Sequence, residues 1–155
     1  MSFVDWMLAL HLLSAFAVAA ALVLFTVLVL SGRRMTTLEQ TRTLVRVAPV
    51  GGALITAGLG FVLVFGVILA IDSNRFNIWD GWVIAGIILF AAFGGVGQRS
   101  GAYYTEVQKL AEEPGGGNED EVLARLKAPT GATLHYAAVA LFLLIVLDMI
   151  FKPGA

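Results

Sequence analysis

From Trp6 to Ser31 the chain carries no Asp, Glu, Lys or Arg. About 20 apolar residues suffice to cross the hydrocarbon core of a bilayer as a helix, so a transmembrane helix is predicted over residues 3–31, stopped by Gly32-Arg33-Arg34. His11 falls inside it. An ionisable side chain within a span has no water to solvate it and is by default a candidate for function. The small residues at Ala15-Phe16-Ala17 resemble a leader's cleavage region. However, no basic segment precedes the run, and it exceeds the ~7–15 apolar residues of a secretory leader. It is read as a retained helix.

The same pattern returns three times. Of 155 residues, 59% are hydrophobic and 14% charged, against roughly 45–50% and 25% in soluble domains. Further spans are predicted over residues 50–71, 82–99 and 132–151, the third continuing past the membrane to about residue 112, where Pro114 stops it. Gly51, Gly52, Gly58, Gly60 and Gly66 make the second span a close-packing spine, and Ala91 and Gly95 are expected to bring the third span against it. Trp6, Trp79 and Trp82 fit an interfacial aromatic belt. Residues 36–47 suit a short interfacial helix, and 72–81 an outer loop. Gly115-Gly116-Gly117, flanked by acids and lacking a phosphate-binding lysine, reads as a flexible hinge. Asn118 then caps a short helix to about Lys127, which Pro129-Thr130-Gly131 ends.

Arg33, Arg34, Arg42, Arg46, Arg99, Lys109, Arg125 and Lys127 fall on one side of the membrane, and only Arg75 and Lys152 on the other. By the positive-inside rule both termini face outward. The expectation is an all-α polytopic membrane protein: a four-transmembrane-helix up-down bundle forming one domain over residues 1–155, of the kind found in a bacterial cytoplasmic membrane. A net charge of −1 argues against nucleic acid as a partner. The absence of Cys removes disulfides, thiolate metal sites and covalent haem attachment.

At ~1.5 Å per residue, His11 lies ~7–8 Å inward of Trp6 and Asp148 ~6 Å inward of Lys152. Both therefore belong to the outer leaflet. In an antiparallel bundle the first and last helices are neighbours, so His11 and Asp148 are expected to meet. Three readings follow. His11 could ligate haem b, oriented by Asp148. Met7, one turn before His11, could join it and Met149 in a copper site, as in a copper-handling or transport component. Or the two polar groups could simply tie helices together, in a structural subunit of a homo-oligomer or larger membrane complex. His135 is expected near the inner headgroups, bonded to water or to an inner-loop side chain. No Ser-His-Asp, HExxH or paired-carboxylate spacing is present, so hydrolytic catalysis is not indicated.

The segment Ala9-Leu10-His11-Leu12-Leu13-Ser14-Ala15 resembles the first-helix motif of the CopD-like membrane domain and of uncharacterised four-helix integral membrane proteins akin to it. Thr56-Ala57-Gly58-Leu59-Gly60 and the ending Asp148-Met149-Ile150-Phe151-Lys152-Pro153-Gly154 look like the corresponding parts of the latter group. More distantly, the layout is similar to the HemJ-type protoporphyrinogen oxidases, whose first-helix histidine is associated with haem. That resemblance implies His11 as the haem ligand.

Overall fold

A computed structural model describes residues 2–72, 79–113 and 118–153. Six helices follow in order: α1 (Phe3–Gly32), α2 (Leu38–Val45), α3 (Ala48–Asp72), α4 (Gly81–Glu112), α5 (Glu119–Lys127) and α6 (Pro129–Phe151). No strand occurs among the described residues. Four of the helices, α1, α3, α4 and α6, are long and apolar enough to cross a membrane. The chain is an all-α, four-span integral membrane protein. Its spans are apolar all round, as expected where lipid rather than water is the solvent, and large side chains such as Leu13, Phe16 and Ile71 stand exposed on their outer faces.

Local chemistry sets the helix ends. Ser2 and Asp5 form a reciprocal capping box on α1: the Ser2 hydroxyl accepts from the Asp5 amide at 3.2 Å, and Asp5 Oδ2 accepts from the Ser2 amide at 2.7 Å. Thr37 caps α2 by accepting from the Gln40 amide. At the other end of the chain Lys152 closes α6 in the left-handed conformation (φ 43°), its amide donating to the Asp148 carbonyl at 2.9 Å.

The spans associate as two pairs, α1 along α3 and α4 along α6, with a smaller contact between α1 and α6. Val18 and Leu22 of α1, Phe93 of α4 and Ala138 of α6 form the buried centre, with Ile55 and Leu59 of α3 packed on it. Glycine permits the closest approach. A Cβ on Gly58 would stand 2.7 Å from Val18 Cγ2 and 3.3 Å from the Ser14 carbonyl, and one on Gly51 would stand 2.8 Å from the Phe25 ring. Gly52 and Gly60, on the other side of α3, meet nothing within 4 Å. The expected Ala91/Gly95 approach to the second span is not present: α4 packs along α6, and Gly95 meets nothing within 4 Å. The glycine of α4 that matters is Gly86.

The end of the bundle with the short helices carries a small second core in which Val107 and Ala111 of α4 meet Val122 and Leu126 of α5. Arg42 Nε donates to the Ala111 carbonyl at 2.6 Å, and Glu119 Oε1 accepts from the Leu38 amide at 2.9 Å, so α2 is bound to both. Pro129, Thr130 and Gly131, expected to end a segment, instead form the first turn of α6, with Pro at a position where its missing N–H costs nothing. Gly131 is needed there, because a Cβ would lie 2.8 Å from both Tyr103 Cε1 and the Tyr104 hydroxyl. Tyr104 stands past Arg99 in the polar part of α4, and burial, with Tyr103 beside it, pushes its phenol up to about 12. Pro114, the Gly115-Gly116-Gly117 hinge, residues 73–78 of the outer loop and the final Gly154 and Ala155 lie outside the described residues.

Candidate functional site

His11 is on α1 but looks toward α3, where its Nδ1 lies 3.0 Å from the Val62 carbonyl oxygen. A carbonyl only accepts, so the ring proton is on Nδ1, and in the neutral imidazole Nε2 keeps its lone pair. Nε2 has no hydrogen-bond partner among the described residues. The ring reaches this carbonyl because residue 66, one turn further along α3, is glycine: a Cβ there would stand 3.1 Å from Cε1 and 3.4 Å from Nδ1. Val62 and Gly66 together hold the imidazole at one nitrogen and leave the other open.

Asp148 belongs to a different seam. It is 8% exposed and lies against α4, where Oδ2 would be 3.1 Å from a Cβ on Gly86. Oδ2 is buried without a hydrogen-bond partner, and no hydrogen bond joins Asp148 to His11. The expected meeting of these two residues therefore does not occur. The reason is the pairing of the spans: α1 presents His11 to α3, and α6 presents Asp148 to α4. The Val62 carbonyl, not Asp148, orients His11.

The copper set divides in the same way. Met149 Cε would lie 2.8 Å from a Cβ on Gly86, so this thioether fills the α4–α6 seam, whereas Met7 is half-buried on α1 and His11 faces α3. Met149 is a packing group. Among the described residues no three His, Cys, Asp or Glu side chains gather where they could hold a metal ion. Trp82, assigned to the aromatic belt, is instead 7% exposed, with the Lys152 ammonium 5.4 Å from its ring centroid.

His135 was expected among headgroups and is 3% exposed. Its Nε2 lies 2.8 Å from Thr26 Oγ1 on α1, and that hydroxyl donates its single proton to the Leu22 carbonyl at 2.8 Å. His135 Nε2–H is therefore the donor to Thr26. The two histidines hold opposite tautomers, His11 protonated at Nδ1 and His135 at Nε2.

Val62, Gly66 and Thr26 are the site residues that motif reading passes over. Depth could have found them: counted at ~1.5 Å per residue, Gly66 lies ~9 Å from the Asp72 end of α3, Thr26 ~9 Å from the Gly32 end of α1 and His135 ~9 Å from the Pro129 end of α6. The imidazole itself fits an axial ligand for iron, since a ligating histidine ordinarily donates its second ring N–H to a carbonyl or carboxylate. A cavity of about 20 Å³ where α1, α2, α4 and α5 meet is lined by Phe25, Val29, Val45, Tyr104 and Leu126, at the end of the bundle that carries the short helices. It has room for little more than one water. No family model, curated protein or solved structure matches the chain.

Proposed function

We propose that this four-span protein binds haem b in the outer leaflet, with His11 Nε2 as an axial ligand and a redox-accessory rather than hydrolytic role. The observation that carries the reading is the 3.0 Å contact between His11 Nδ1 and the Val62 carbonyl, which fixes the ring and leaves Nε2 as its basic nitrogen. The chain's contribution is orientation: Val62 holds the proton of the imidazole on Nδ1, Gly66 gives the ring its seat, and α1 is locked to α3 at Gly58. Haem, when bound, would supply one-electron chemistry. His11 is half-buried on the α1–α3 pair, so it would hold haem from the surface of that pair.

Haem b titrated into the purified protein in detergent tests this. A saturating Soret band is expected for the wild type and for His135→Ala, and its loss is expected in His11→Ala. No Soret band in the wild type, or an unchanged one in His11→Ala, contradicts the proposal.

A further inference from the structure

The haem reading makes no use of Asp148, and its surroundings ask for an explanation. This carboxyl sits in the seam between two membrane-spanning helices, 92% buried by its 8% exposure, with Oδ2 sealed from solvent and lacking any donor. The charged and titratable groups around it are few. On α4, Gly86 faces it, no charged residue lies between Gly81 and Gln98, and Asp80 stands at the helix cap. On its own helix Lys152 is one turn away, with its ammonium over the Trp82 ring rather than in an ion pair with Asp148. On α1, the helix that meets α6 more lightly, Asp5 is engaged by Ser2 and His11 by Val62.

A carboxylate in such a place would have Oδ2 shut off from solvent, with neither a hydrogen-bond donor nor a contacting cation among the described residues, and apolar surroundings exact far more for an unpaired charge than for a neutral acid. A bound cation would remove that charge. A metal ion would need several oxygen ligands, and Gly86 and Met149 bring no side-chain oxygen. A proton needs only the carboxyl itself.

We propose that Asp148 is a proton-binding site of the outer leaflet, occupied at neutral pH and exchanging with the outer aqueous phase past Lys152, one helical turn away. The chemistry is a simple dissociation, carboxylic acid to carboxylate plus a proton released to water. Losing the proton leaves a bare charge against Gly86, so the α4–α6 seam is tight in the acid form and loosened in the ionised one.

Infrared spectroscopy of the full chain in phosphatidylcholine vesicles reads the protonation state directly, as the carbonyl stretch of a carboxylic acid apart from carboxylate bands. The wild type is expected to show one acid band at neutral pH that is missing in Asp148→Asn and fades as the pH is raised. Aspartate-specific ¹³C labelling of the wild type assigns the band to aspartate whether or not the variant folds. Absence of an aspartic-acid band at neutral pH overturns the proposal. So does a band that survives to strongly alkaline pH, because a proton that never leaves marks a fixed structural acid. Sodium or potassium abolishing the band at constant neutral pH would equally overturn it, by showing that the site takes a metal cation.

Discussion

Thr26 Oγ1 and His135 Nε2 lie 2.8 Å apart, joining α1 to α6 in a bundle whose main contacts run within the α1–α3 and α4–α6 pairs. With α1 and α6 otherwise in modest contact, this bond is a cross-tie between the two halves. Thr26→Val keeps the shape and removes the acceptor, leaving a buried imidazole N–H unpaired, which costs about 1–3 kcal/mol. Unfolding in increasing dodecyl sulfate should show that loss, and His135→Ala on top of Thr26→Val should add less than it does alone. The coupling between them is expected near ~0.6 kcal/mol, the usual size for such bonds in membrane proteins.

Gly58 and Gly60 are two residues apart on α3 and should behave oppositely. A methyl at Gly58 meets Val18 at 2.7 Å and the Ser14 backbone at 3.3 Å, whereas one at Gly60 meets nothing within 4 Å. Gly58→Ala should destabilise the protein by about 1–3 kcal/mol through overpacking. Gly60→Ala should be neutral or stabilising, by up to ~1 kcal/mol from helix propensity. The same unfolding assay compares them.

Gly66→Val tests the seat of the imidazole without touching the ligand. The new side chain begins 3.1 Å from His11 Cε1, which forces the ring off the Val62 carbonyl. Haem titration of this variant should show a weakened or shifted Soret band, while the same change at Gly52, which has open space around it, should leave the band as in the wild type.

The tyrosines packed on Gly131 give a pH dependence. Partial burial, with Tyr103 beside it, pushes the Tyr104 phenol up to about 12 in the folded protein, against ~10 in an unfolded chain. A phenol raised in this way contributes stability that is whole below about pH 10 and is lost as the pH climbs towards 12. Thermal unfolding in detergent should show a decline over that window, reduced in Tyr104→Phe.

The spans, their order and the inner short helices can be read from the sequence, because uncharged runs of this length have few other physical outcomes. Which helix each polar group faces cannot be read so simply. His11 and Asp148 share a depth, and depth alone suggested that they meet. Rotation about the helix axes decides otherwise, and it is fixed by where glycines allow close approach: Gly58 and Gly66 draw α1 onto α3, and Gly86 receives Asp148 and Met149. Small residues at matching depth carried the missing information, spread over helices distant in sequence. Pro129 misled for a related reason, since the residue that can end one helix also opens another.

Nitrogen NMR of histidine-labelled protein in lipid addresses the central claim most directly, with His135→Gln separating the two signals. The account predicts that His11 carries its proton on Nδ1 and His135 on Nε2, and that haem b displaces the His11 Nε2 resonance alone. A His11 protonated at Nε2, or an Nε2 signal indifferent to haem, would contradict it.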